Sequence, residues 1–352
     1  MGFGAASELL PLRLALIIGS VAALLTAAML VQMLLLRWRT RRLEKRRQAV
    51  AERWRPLMLA AAIDAVPPLP PLAARDAWAF ILLWQQIAEG LRGEARTRLR
   101  ELARQAGMAA VARRWLRGTG AARRLMALAM LGHLGDPADW DALRAQLGER
   151  RPDLSLMAAR ALVLSDAQRA LPDVVAQLLT RTDWPVSRVA SLLREAGAEL
   201  ACAPVLALLQ QADDEALLRL LPLLAVIDEQ EAAEAVSAVL QRVKDPQVLA
   251  AALAGVNAPA ALPAARALAR HPAWSVRAEV ASALLRIGNE ADRETLQRLM
   301  GDREWWVRYH AARAFVGLPG TTAQAVARLR EGLGDRFARD MLQQVLAEQR
   351  LQ

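Results

Sequence analysis

The sequence predicts an all-α protein: a single apolar helix able to cross a membrane, then an α-solenoid built from repeated helix pairs. Three observations predict it. A 23-residue run without a charged side chain, Leu14–Leu36, lies near the N-terminus. Helical apolar patterns recur at a spacing of about thirty residues over the last two thirds of the chain. No stretch alternates apolar and polar residues as a strand would, and alanine and leucine, both good helix formers, dominate throughout.

Residues 1–13 read as a short extracytoplasmic N-terminus. At a rise of about 1.5 Å per residue, the helix 14–36 would run about 35 Å, enough for a hydrocarbon core about 30 Å thick. A cleaved secretory signal would have a shorter apolar region, preceded by basic residues and followed by a small-residue cleavage site. Instead a basic block follows.

Residues 37–55, the juxtamembrane segment, hold nine basic residues against Glu44 and Glu52. Arg37, Arg39, Arg41, Arg42, Lys45, Arg46 and Arg47 come directly after the span, and Arg13 is the only basic residue before it. Excess Lys and Arg stay on the cytoplasmic side, so the C-terminal part is expected in the cytoplasm, anchored to the inner membrane by one pass. Trp38 is placed for the headgroup region. A reduced compartment suits Cys202, the one cysteine, which sits in an apolar helical context and reads as a buried small hydrophobe.

Residues 56–71 read as a proline-rich linker, since Pro67, Pro68, Pro70 and Pro71 cannot continue a helix. Residues 72–119 form a helical lead-in to the solenoid. Residues 92–124 contain ten arginines against Glu94 and Glu101. Arg96, Arg100 and Arg104 fall on one helical face, and Arg113, Arg114 and Arg117 follow in the next helix. This face either solvates near an anionic leaflet or binds an acidic partner, a lipid headgroup or a phosphate.

The array proper is expected over 120–352. Val276-Arg277 and Val307-Arg308 are 31 residues apart, as are Val280 and Ala311, and Leu284 and Phe315. Further units start around Leu125, Leu156, Trp184, Leu217 and Val248, with breaks at Asp136-Pro137, Asp183-Trp184-Pro185, Asp213-Asp214 and Asp245-Pro246. About six or seven helix pairs result. Trp184, Trp274 and Trp305 recur at the junctions. They either plug the gaps between pairs or form an exposed row; the first is the usual fate of large aromatics.

The segments Asp302–Ala314 (DREWWVRYHAARA) and Trp274–Leu284 (WSVRAEVASAL) resemble bacterial HEAT repeats, also called HEAT-like or phycobilisome-lyase-type repeats. The resemblance implies an armadillo-like superhelix and a role in protein–protein recognition. The layout as a whole is similar to membrane-anchored bacterial HEAT-repeat proteins, some of which accompany inner-membrane glycosyltransferases of exopolysaccharide systems.

Catalytic patterns are missing from the sequence. His133, His271 and His310 lie at no metal-ligand spacing, and phosphate-loop, dinucleotide and nucleophile-elbow motifs do not occur. No cofactor and no enzymatic activity are expected. From Leu125 onward 25 basic residues face 28 acidic ones, so the array lacks the continuous positive track that nucleic acid needs. The expected function is a membrane-anchored scaffold that binds a protein partner through Trp274, Arg277, Trp305, Trp306 and Arg308. The lipid bilayer is the second partner, through 14–36. The alternative is a nucleotide- or nucleic-acid-binding protein that uses the 92–124 arginines.

Overall fold

The computed structural model describes residues 5–64 and 66–350; near the termini, side chains are described only for Leu24, 28–38, 40–42 and 44 onward, up to 348. The described residues are helical, with no strand among them. They divide into two compact units, Met1–Leu134 and Gly135–Gln352. The boundary lies past the expected start of the array at 120, so the first repeat-like helix belongs with the lead-in.

The first unit begins with α1 (Ala5–Ile63), a helix of 59 residues. Among the described residues, no helix is long and apolar enough to cross a membrane. The expected span 14–36 lies mostly outside the described side chains. The described part of that run, Leu24 and 28–36, is exposed, with Met29 at 73%. Exposure continues through the described side chains up to Ala49. Among the described side chains the first buried one is Val50, and with Trp54, Met58 and Ala61 it forms one stripe at helical spacing. That stripe packs on α2 (Ala77–Ala88) and α3 (Gly93–Gln105). The linker expectation over 56–71 is thereby corrected: helix α1 runs through Pro56 to Ile63, held by this packing, and the non-helical chain begins only after it.

Next come α4 (Met108–Leu116) and α5 (Ala121–Leu134), which pack on each other. Trp84 of α2 is buried, and its indole N–H donates to the Leu99 carbonyl at 2.9 Å.

In the second unit the described residues form seven helix pairs. The first pairs α6 (Trp140–Ala145) with α7 (Pro152–Ser165), and the second α8 (Ala167–Ala176) with α9 (Val186–Ala196). Then α10 (Ala198–Gln211) precedes α11 (Asp214–Leu220), which Pro222 turns into a 3₁₀ segment, Leu221–Val226. The remaining pairs are α12 (Glu229–Arg242) with α13 (Pro246–Ala254) and α14 (Leu262–Ala267) with α15 (Trp274–Ile287). They end with α16 (Arg293–Met300) beside α17 (Trp305–Gly317) and α18 (Ala323–Gly332) followed by α19 (Arg336–Arg350). Second helices stack in one row, α11 on α13, α15, α17 and α19 in turn, while α8, α10, α12 and α14 form the other. This is a two-layer solenoid with its core between the rows.

Two of the acidic breaks cap the helices they open: Asp213 accepts from the Ala216 N–H at 2.9 Å and Asp245 from Gln247 at 2.7 Å, and Asp228, not marked from sequence, does the same for Gln230 at 2.8 Å. Each satisfies an orphan donor at a helix start, worth about 1 kcal/mol. Arginines do the same at helix ends. Arg242 donates to the carbonyls of Leu209 and Ala212, and Arg286 to those of Leu253 and Val256. Both reach back one pair, so much of the positive charge in the array is committed to holding successive pairs together. Small residues let α15 and α17 approach closely: a Cβ on Gly317 would collide with the Leu285 side chain.

Cys202 is buried, and its thiol donates to Glu231 Oε2 at 2.6 Å. Burial, then the Glu231 carboxylate, pushes the thiol up to about 11. At pH 8 alkylation of the folded protein is expected to be on the order of a hundredfold slower than for an ordinary thiol near 8.5. Iodoacetamide labelling with and without denaturant checks this; equal rates would refute it.

Candidate functional site

Two groups of side chains are candidates. The first surrounds the start of α17. Trp305 and Trp306 open this helix, and residues three and four further on share their face, which brings in Tyr309 and His310. The Trp305 and Tyr309 rings stack with centroids 5.2 Å apart, and the Trp305 and Trp306 rings meet edge-on at 4.8 Å. Trp306 also lies against His310 at 6.3 Å. Tyr309 is tied down by its hydroxyl, which donates to Glu348 Oε2 at 3.0 Å. Arg313 sits over the Tyr309 ring at 5.7 Å.

The tryptophans nonetheless stay open: Trp306 is 53% exposed, Trp274 45% and Trp305 41%. Phe337, at the start of α19, is 66% exposed and lies 5.6 Å beneath the Arg308 guanidinium. Tyr309 and Phe337 were not singled out from sequence, although helical spacing from Trp305 points to the first.

Of the three junction tryptophans, only Trp184 plugs a gap. It is 2% exposed, and its indole N–H donates to Ser155 Oγ at 2.9 Å. The reading of all three as buried plugs is therefore corrected for Trp274 and Trp305.

The two arginines expected beside them are not free contact groups. Arg277 is only 8% exposed. It forms a two-pronged ion pair with Asp302, at 2.7 and 2.9 Å, and donates to the carbonyls of His271 and Pro272, both at 2.8 Å. Arg308 repeats the backbone half of that pattern, donating to the carbonyls of Asp302 and Arg303 at 2.8 and 3.0 Å. In each case the arginine reaches back five and six residues and closes the turn within its pair. The Val-Arg signature thus serves the fold, and Arg277 is withdrawn as a partner contact. Arg308 is half-buried, with its guanidinium over the Phe337 ring.

The second group is the arginine face of α3. Arg96 Nη2 lies 3.2 Å from Nδ1 of buried His133, which accepts from it. Arg104 donates to the Leu134 carbonyl at 2.7 Å and faces Glu101 at 3.5 Å. Arg100 lies between them, half-buried; burial, then Arg96 and Arg104, pulls its guanidinium below the usual value. Arg113, Arg114 and Arg117 lie apart on α4 and its end; Arg114 and Arg117 are exposed, and Arg117 donates to the Arg113 carbonyl. In the juxtamembrane block, Trp38 is 55% exposed under the Arg42 guanidinium at 4.7 Å. Arg37, Arg41, Lys45, Arg46 and Arg47 are exposed along α1, and the side chain of Arg39 lies outside the described residues.

The other two histidines are structural. His271 Nδ1 accepts from the Ala273 N–H at 3.2 Å, and His310 Nδ1 lies 3.0 Å from Ser282 Oγ. Burial, then Arg313, lowers the His310 pKa, which keeps it neutral at pH 7. Among the described residues no group of His, Cys, Asp and Glu could hold a metal ion. An open apolar groove of about 480 Å³ lies along α11, α12 and α13, with Glu229 and Asn257 as its polar groups.

A family model described as HEAT repeats matches residues 246–316 and, overlapping these, 262–348. No curated protein matches the chain. Among solved structures, one described as an engineered protein is 17% identical over 86% of this chain and 90% of its own, with a TM-score of 0.34. Residues 246–348 are thus similar to HEAT repeats, units that generally mediate protein–protein interactions.

Proposed function

We propose that this chain is a membrane-tethered scaffold whose HEAT-repeat unit binds a protein partner, a component of a bacterial inner-membrane complex such as an exopolysaccharide glycosyltransferase system. The observation that carries the scaffold reading is the exposed aromatic surface of Trp274, Trp305, Trp306 and Phe337. Contiguous exposed apolar patches mark interaction sites, Trp305 and Trp306 are in ring contact within one, and tryptophan and tyrosine dominate the energetic centres of interfaces.

Tethering enters through α1. Its uncharged run 14–36, the cationic residues after it and the exposed helix up to Ala49 support a span with the repeats on the cytoplasmic side. A tether raises the local concentration of the repeats near a membrane partner, so modest affinity suffices. The full-length chain is expected to stay in membranes washed with alkaline carbonate. A Leu24→Arg, Ala27→Arg double variant, costing about 2.5–3.5 kcal/mol per arginine at the centre of a span, is expected in the wash. Equal retention of both would refute the span.

A further inference from the structure

We propose that the Arg96–Arg100–Arg104 face of α3 binds the di- or triphosphate group of a soluble ligand. Successive members lie about 6 Å apart along the helix and share a face. Elsewhere, partly buried arginines are matched: Arg277 by Asp302, Arg266 by Asp292, Arg242 and Arg286 by helix-end carbonyls. This face is less well matched. The Nε atoms of Arg96 and Arg100 are buried without a partner, as are those of Arg98, Arg293 and Arg308, but those three are matched through their other nitrogens. Among the described residues Arg100 makes no hydrogen bond or ion pair, and Arg96 reaches only His133. Arg100 is desolvated by burial and repelled from both sides.

An anion with several oxygens reverses each of these costs at once. It supplies negative charge between repelling cations and acceptors for guanidinium forks. His133 acts as a positioning residue: its Nδ1 accepts from Arg96 Nη2 and leaves Arg96 Nη1 for the ligand. Arg104, already shared between Leu134 and Glu101, adds charge at the end of the row.

Position selects a soluble source over a lipid headgroup, and this step rests on the tethering read from α1. Arg98, two residues from Arg100 and so on the other side of α3, donates to the Ala62 carbonyl at 3.1 Å. The arginine face is thereby fixed near the far end of α1. From Leu36 to Ala62 that helix rises about 39 Å, and even with a bend at Pro56 the distance to the headgroups is several Debye lengths of about 8 Å.

The test is calorimetric titration of pyrophosphate into the full-length chain in nanodiscs of neutral lipid. Wild type is expected to bind. Arg100→Met is expected to weaken binding about tenfold or more, and Arg100→Lys less, since lysine keeps the charge and loses the fork. Thermal melts without ligand separate this from misfolding. Arg100→Met removes a repelling charge, so its melting temperature is expected to match or exceed wild type. Failure of wild type to bind, or unchanged binding by Arg100→Met, would overturn the proposal. Loss of pyrophosphate binding when the discs carry anionic lipid would overturn the soluble source. Release of the chain by carbonate with pyrophosphate binding intact would sink the tether alone.

Discussion

Trp54→Ala is expected to destabilise the N-terminal unit by about 3–5 kcal/mol, the usual cost of emptying a site filled by a fully buried aromatic. Trp54 is 1% exposed and meets the Phe80 ring edge-on, with centroids 4.8 Å apart. With Val50, Met58 and Ala61 it forms the stripe that joins α1 to α2 and α3, and the described part of α1 before Val50 has no buried residue. The variant should therefore loosen α1 from α2 and α3. Denaturant unfolding followed by the protection of α1 from trypsin reads both effects. Trp38→Ala is the control: Trp38 is 55% exposed, so its loss should change stability by less than about 0.5 kcal/mol. Equal effects of the two substitutions would contradict this packing.

Asp302→Ala carries the second large effect, also about 3–5 kcal/mol, because it strands the Arg277 cation in a site that is nearly closed. The side chains of Arg277 and Asp302 are 10% and 11% exposed. Burial alone would raise the Asp302 pKa, yet the hydrogen bonds from Arg277 and from the Glu304 N–H hold it below the usual carboxylate range. Asp292, paired with Arg266, is shifted in the same direction against the same burial cost. A depressed carboxylate contributes stability that is complete above its unfolded pKa near 4 and disappears as pH falls through its folded value. The melting temperature of wild type should therefore drop as pH is lowered below about 4, and Asp302→Asn should start lower at pH 7 and drop less. Parallel curves for the two proteins would exclude Asp302 as a source of acid sensitivity.

Much of the fold was legible in the sequence because it rests on local rules. Ala and Leu at spacings of three and four give the helices, and Asp213 and Asp245 mark starts by an i to i+2 or i+3 hydrogen bond. The fates of the tryptophans were not legible in this way. Trp184, Trp274 and Trp305 each stand two residues before a valine, but Trp184 precedes Pro185, which stays outside the helix and favours an extended residue before it. That turn brings its ring to Ser155, whereas Trp274 and Trp305 are themselves first helical residues and stay partly exposed. Arg277 was misread as a contact because its acceptors, His271, Pro272 and Asp302, meet only after the turn closes and the next repeat packs. The extent of α1 was likewise hidden: the proline cluster marks where the helix has ended, while the stripe from Val50 to Ala61 keeps helix on both sides of Pro56.

The aromatic surface is the core of the functional reading, and a test of it does not require the partner to be identified first. Trp306 is replaced by a photo-crosslinking phenylalanine analogue in the full-length chain in native membranes, with Gln241 on the remote α12 as control. The scaffold account requires one discrete crosslinked membrane protein from position 306, absent from position 241, and reduced about tenfold or more when Trp305→Ala is added, as for a residue at the centre of an interface. Identical crosslinking patterns from the two positions, or a product from 306 that Trp305→Ala leaves unchanged, would contradict it.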